Sequence, residues 1–183
     1  IAIAKDVKLQ IEFNPARVKA YRLIGYEKRE LRDEDFNDDD KDAGEIGEGH
    51  EVTALYEIIP AGSSEPVPVS GVDPLAFQRP RRLAATDGKS KLCVLKLRYK
   101  EPDGDVSRLE VFPADVTLTP WNGAKPDLRF ASSVAAMAMV LRDSRYKGES
   151  DYRKIVGWAE RAAYDETRKE FVKLARMAGS LAN

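Results

Sequence analysis

The densest concentration of chemistry in this 183-residue chain is an acidic tract, Asp33-Glu34-Asp35-Phe36-Asn37-Asp38-Asp39-Asp40-Lys41-Asp42. Oxygen ligands at alternating positions suit a hard cation such as Ca²⁺, which makes Asp33, Asp35, Asn37 and Asp39 the candidate metal ligands. The EF-hand register fails, however. Counted from Asp33, the sixth position is Asp38 where glycine is required, and the twelfth is Gly44 where glutamate is required. Counted from Asp35, those positions are Asp40 and Ile46. Two readings stay open: an irregular calcium loop, or a solvated connector whose like charges keep it extended and guard a strand edge.

The remaining reactive residues offer little to an enzyme. His50 is the single histidine, which excludes multi-histidine zinc sites and leaves any Ser/Cys–His triad dependent on one residue after a glycine turn. The lone Cys93, within Leu92-Cys93-Val94-Leu95, reads as a small buried hydrophobe rather than a nucleophile. No Gly-x-Ser-x-Gly elbow, phosphate-binding loop or dinucleotide fingerprint occurs. Gly44-Glu45-Ile46-Gly47-Glu48-Gly49 precedes a strand and lacks the helix that would hold phosphate, so its glycines are assigned to turns. Carboxylates are plentiful, but no pattern sets two of them at a glycosidase separation. No catalytic residue and no cofactor site is assigned. Trp121, with Trp158 and Tyr152, either lines a carbohydrate surface or closes a core. Tyr146, in the turn Tyr146-Lys147-Gly148, is a second interaction candidate.

The elements that must position these groups follow from pattern. Hydrophobic residues at 43% and charged residues at 33% describe a globular chain, and a net charge of −1 favours neither nucleic acid nor an anionic membrane as partner. No run approaches the roughly 20 apolar residues of a membrane span. The chain opens at Ile1 with neither Met nor signal peptide, which suggests a piece of a longer precursor. Val7, Leu9, Ile11 and Phe13 alternate with Lys8, Gln10 and Glu12, predicting a strand with one wet face. Val18–Ile24 and Glu51–Ile59 are further strands, the latter central because both faces are largely apolar. Residues 61–90 are rich in Pro, Gly and Ser and predict a long loop. Lys91–Lys100 and Val106–Phe112 form a hairpin about Pro102-Asp103-Gly104. Asp115–Thr119 is a possible short strand.

From Asp127 the period changes to about 3.6 residues. Asp127 and Asp165 are placed as N-caps of the first and third of three helices, and the second runs from about Asp151. Their inward stripes are Phe130, Val134, Met137 and Leu141; then Tyr152, Ile155, Val156 and Ala159; then Phe171, Leu174, Ala175 and Ala178. Strands first and helices last predicts an α+β chain: an antiparallel β-sandwich-like sheet domain over 1–122, followed by a small three-helix unit over 123–183 packed on it.

Several ordered stretches resemble the region that follows the von Willebrand factor type A domain in bacterial envelope proteins, a C-terminal domain of unknown function. They include Glu12-Phe13-Asn14-Pro15, Tyr21-Arg22-Leu23-Ile24-Gly25-Tyr26-Glu27, Leu31-Arg32-Asp33-Glu34-Asp35-Phe36, Asp42-Ala43-Gly44-Glu45-Ile46-Gly47 and Val52-Thr53-Ala54-Leu55-Tyr56-Glu57, with Phe130-Ala131-Ser132-Ser133-Val134-Ala135 later. The similarity spans nearly the whole chain and is weakest over 61–90. An A domain binds metal through Asp-x-Ser-x-Ser, which this chain lacks, so the resemblance implies that any divalent metal belongs to an upstream A domain. It further implies no enzymatic activity, a cell-envelope or secreted location, and a scaffold role. That role is to support the A domain of the same protein and to bind a still unknown protein ligand. The competing reading is a glycan-binding β-sandwich module whose site is the 61–90 loop with Trp121.

Overall fold

The computed structural model describes residues 2–25, 31–67, 91–115 and 118–182. The chain divides into two compact units, Ile1–Thr117 and Leu118–Asn183. The first holds strands β1 (Ala2–Phe13), β2 (Val18–Ile24), β3 (Gly44–Gly47), β4 (Leu55–Pro60), β5 (Cys93–Lys100) and β6 (Arg108–Ala114), with a 3₁₀ turn at Asp33–Asn37. The second holds α1 (Pro126–Leu141), α2 (Tyr152–Glu160) and α3 (Glu166–Leu181). Strands precede helices and every strand pair is antiparallel, so the fold is α+β as the pattern requires.

The strands form a four-stranded sheet in the order β3-β1-β5-β6 and a separate β2-β4 pair. One residue switches the chain between them. At the end of β1, the Asn14 backbone N–H donates to the Leu92 carbonyl (2.8 Å) and its side-chain amide donates to Lys91 O (2.9 Å). Its Oδ1 accepts from the Ala16 N–H (3.0 Å), and its own carbonyl accepts from Arg17 and Val18 (both 2.9 Å). Pro15 cannot continue the ladder, so Asn14 folds the corner with its side chain. Beyond the corner, Phe13 meets Tyr21 of β2 and Tyr56 of β4 at ring separations of 4.5 and 5.4 Å, joining the two sheets.

The hairpin β5–β6 is as predicted, with Tyr99 opposite Arg108. Three strand expectations are corrected. The third strand starts at Leu55 rather than Glu51, and among the described residues it pairs with β2 alone, so it is not central. Asp115, Leu118 and Thr119 lie outside any strand, while 116–117 are outside the described residues. Of the 61–90 loop, 61–67 carry no regular structure beyond a turn, and 68–90 are outside the described residues.

The largest correction lies in β1. Lys5 faces Lys100 and Lys8 faces Arg98, three steps on β1 against two on β5. The same extra residue appears against β3, where Ala4 faces Ile46 and Val7 faces Gly44. This is a β-bulge, and Asp6 sits in it with a φ of 50°, a left-handed conformation that aspartate tolerates better than most residues. Because one residue is inserted, Lys5 and Lys8 share a face despite their odd spacing. Lys8, assigned to the wet face by alternation, is 2% exposed, whereas Leu9 on the apolar face is 46% exposed.

Of the two predicted caps, Asp165 is observed on α3 and Asp127 is not the cap of α1, while Asp151 caps α2. The Asp151 carboxylate accepts from the Lys154 N–H (2.7 Å) and Asp165 from the Arg168 N–H (2.8 Å). For α1 the N-cap is Lys125, with Pro126 in the first turn, where its missing N–H costs nothing. Asp127 instead lies inside that turn, and its Oδ1 accepts from the Tyr164 hydroxyl (2.8 Å) and the Arg168 guanidinium (2.6 Å). That guanidinium is stacked 4.0 Å from the Tyr164 ring and 4.7 Å from the Phe130 ring, clamping the start of α1 to the α2–α3 turn.

Ala136, Ile155 and Ala175 form the centre of the unit, with Met137, Val140, Val156, Trp158 and Phe171 packed around it. The α2 stripe is as predicted. The α1 stripe is rotated, with Ser133, Ala136 and Met139 buried while Val134 and Leu141 are exposed. In α3, Val172 replaces Leu174 as the buried partner of Ala175. Small residues set this spacing: a Cβ on Gly179 would lie 2.9 Å from Tyr152 Cβ. Ile155 is 0% exposed and Leu174 51%. Ile155→Ala is therefore expected to cost about 2–4 kcal/mol and Leu174→Ala less than about 1 kcal/mol, measured by denaturant unfolding followed through helical circular dichroism.

Candidate functional site

Five cations lie on the face created by the Asp6 bulge: Lys5, Lys8, Arg98, Lys100 and, two residues along β5 from Arg98, Lys96. Left bare, such a row of like charge would repel itself. The acidic tract lies across it. Lys8 Nζ donates to the Asp35 carbonyl at 3.3 Å and, in a tighter bond, to the Asp38 carbonyl. At this end of the 3₁₀ turn the Asp35 carbonyl also accepts from the Asp38 N–H (3.3 Å) and the Asp38 carbonyl from the Lys41 N–H (3.4 Å), so each oxygen serves Lys8 with its second lone pair. An ammonium group removed from water is costly unless its donors are used, and here the turn supplies the acceptors.

The neighbouring cations repeat the arrangement. Lys100 Nζ donates to Asp39 O (2.8 Å) and pairs with the Asp6 carboxylate (2.8 Å). The Asp6 carboxylate also accepts from the Ala43 N–H (3.2 Å), fixing the far end of the tract to the bulge. Arg98 donates to Asn37 Oδ1 (3.1 Å) and to Ser107 Oγ (2.7 Å), and lies 5.7 Å from the Phe36 ring. Ser107 in turn donates through its hydroxyl to Asp39 Oδ1 (2.5 Å). Phe36, 5% exposed, is the buried apolar side chain under this segment. Arg98 Nε is buried with no hydrogen-bond partner among the described residues, so the guanidinium is held by its two terminal nitrogens.

Three of the four candidate calcium ligands, Asp35, Asn37 and Asp39, are engaged by the protein's own cations and donors. Asp35 takes both arms of Arg32 (3.0 Å each), Asn37 takes Arg98, and Asp39 takes Ser107 with Arg98 at 3.9 Å. The structure places Asp33 at the start of the 3₁₀ turn. Among the described residues no three His, Cys, Asp or Glu side chains gather as a metal site would need. The tract is neither extended nor a free connector: it forms a 3₁₀ turn and then β3, which pairs with β1. The residues missed by pattern are Asp6, Lys8, Arg98 and Lys100. Their signal was present, because the Lys96/Arg98/Lys100 row opposes the tract in sign.

The other candidates lie apart from this cluster. Trp121 packs edge-on against Trp158 at 5.2 Å, within the helical unit. Tyr146 lies under the Arg145 guanidinium, 4.6 Å from its ring centroid. Gly49 has the positive φ (75°) expected of a turn glycine, whereas Gly44 and Gly47 bound a strand. His50 is exposed after that turn. Cys93 is buried, and burial pushes its thiol above the ordinary range, away from nucleophilic use. Among the described residues no helix is long and apolar enough to cross a membrane.

Comparison with known proteins gives this arrangement a family. The family described as "Uncharacterized protein YfbK, C-terminal" matches residues 1–181. The chain belongs to that family. It is 41% identical over 181 residues to the Escherichia coli (strain K12) "Uncharacterized protein YfbK", covering 97% of this chain and 30% of that protein. The YfbK C-terminal region so defined spans under a third of the relative's length. No solved structure matches it significantly.

The carboxylates of the cluster set its pH behaviour. The Lys100 hydrogen bond holds Asp6 below the usual carboxylate range, the Arg32 hydrogen bond does so for Asp35, and the Ser107 hydrogen bond for Asp39. A lowered folded-state pKa gives stability that is complete above the unfolded value of about 3.9 and is lost as pH falls through the folded values. Lys100 is raised, chiefly by its bond to Asp6, so its contribution is complete below about 10.4 and is lost above that. The stability of the β unit is thus expected to be flat between about pH 5 and 10 and to fall below about pH 4. Denaturant midpoints across a pH series check this; a decline beginning near pH 6 would contradict it.

Proposed function

We propose that this chain is a non-enzymatic accessory domain that supports an upstream von Willebrand factor A domain of the same protein and binds protein partners. The observation that carries the reading is where the polar and apolar groups go. The charged residues able to do chemistry are engaged in holding the acidic segment on the sheet, while apolar side chains face outward. On β6, the edge strand of the four-stranded sheet, Leu109, Val111 and Phe112 are all more than two-fifths exposed. A strand edge with apolar residues on both faces suits a protein partner better than a small substrate. The A-domain assignment rests on the resemblance of the ordered stretches quoted above, as does a location in the cell envelope or outside the cell. Any divalent metal would then be held by the A domain.

The glycan-binding alternative leans on Trp121. Its ring is edge-on to Trp158 rather than laid flat as a sugar platform, which favours the packing role. The test uses the full-length protein carrying Phe112→Asp, Val111→Asp or Trp121→Ala, with envelope fractions as bait-side material and circular dichroism as a folding control. The proposal expects the β6 variants to lose most captured protein partners at unchanged fold and Trp121→Ala to retain them. Retention in both β6 variants, or glycan binding abolished by Trp121→Ala, would overturn it.

A further inference from the structure

We propose that residues 32–43 form a cover that opens and closes as one unit over the cationic row of β1 and β5, latched by the Lys8 ammonium in place of any bound divalent cation. The segment has its own internal bonding. Arg32 grips Asp35 through two hydrogen bonds, the Asp35 N–H donates to Arg32 O (2.9 Å), and the Asp40 N–H donates to Asp38 Oδ1 (3.0 Å). These bonds persist whether or not the segment touches the sheet, so it keeps its shape when it moves. Its attachment to the sheet is of another kind. Apart from Phe36, the anchors are polar: Lys8 to Asp35 O and Asp38 O, Lys100 to Asp39 O, Arg98 to Asn37, Ser107 to Asp39, and Asp6 to Ala43 N. A segment held this way, with little apolar burial, belongs to the low-stability end of a fold and opens without global unfolding.

The division of labour identifies the latch. Lys100 has the Asp6 carboxylate whether the cover is open or closed, and Arg98 keeps Ser107. Lys8 has hydrogen bonds to two carbonyls of the cover, and among the described residues it has no carboxylate partner. Opening therefore strips Lys8 of both acceptors and exposes the carbonyls of Asp35 and Asp38 together. A tethered ammonium at this point supplies the positive charge that calcium would supply in a loop of such composition. Opening also bares Lys8, Arg98 and Lys100 as one cationic strip, a surface fitted to an anionic group.

The test is amide hydrogen exchange on the whole chain, comparing the 32–43 peptide with the β5–β6 hairpin. For the wild-type protein, raising NaCl from about 20 mM to about 1 M screens the partly exposed attraction that helps close the cover, such as Asp39 with Arg98. Exchange of 32–43 is expected to speed up by roughly tenfold while the hairpin is unchanged. Calcium chloride added at constant ionic strength is expected to leave both peptides unchanged. Lys8→Met at low salt is expected to speed 32–43 by roughly tenfold or more. Protection of 32–43 by calcium would overturn the proposal, as would exchange of 32–43 insensitive both to salt and to Lys8→Met. If Lys8→Met accelerates the hairpin as well, the variant has lost its fold, and the wild-type salt and calcium series decides alone.

Discussion

The β unit depends on the burial of one ammonium group. Lys8 sits in the middle of the longest strand with its charge turned into the protein, and water is replaced by two backbone carbonyls of the acidic segment. Without that segment, Lys8 would lose both of its carbonyl acceptors and Arg98 its bond to Asn37. Without the cationic row of β1 and β5, ten residues dominated by aspartate would have no reason to fold back on a sheet. Each solves the other's electrostatic problem, and the bulge at Asp6 turns the lysine to the face where this happens.

Several other features follow from the same constraint. Asp6 serves both the bulge and the cluster, since its left-handed backbone brings its carboxylate to Lys100 and to the Ala43 N–H. Fixing Ala43 delivers the chain to Gly44, where β3 begins its pairing with β1 and closes one edge of the sheet. At the opposite edge β6 exposes Leu109 and Val111 on one face and Phe112, beside Arg108 and Glu110, on the other, and it is there that a partner surface is proposed.

Sequence patterning reached the features that depend on neighbours along the chain. Val18–Ile24, the hairpin about Asp103-Gly104, and the cap at Asp165 are all local, and alternation or a single side-chain hydrogen bond determines them. It failed where the decisive partner is distant or the pattern is degenerate. One inserted residue at Asp6 reverses the meaning of alternation, and nothing in Lys5-Asp6-Val7-Lys8 announces it. Helix α1 is apolar almost all round, with alanines at 131, 135, 136 and 138, so several stripes satisfy the helical period and packing chooses among them. The acidic tract was legible as chemistry but not as structure: the ammonium that meets it comes from Lys8, 27 residues from Asp35.

The most direct measurement of this arrangement is nitrogen-15 NMR of the lysine ammonium groups in the wild-type chain. A latched Lys8 predicts one slowly exchanging ammonium resonance with through-hydrogen-bond couplings to the carbonyl carbons of Asp35 and Asp38. An ammonium at Lys8 that exchanges as fast as the surface lysines, with no such couplings, would contradict it.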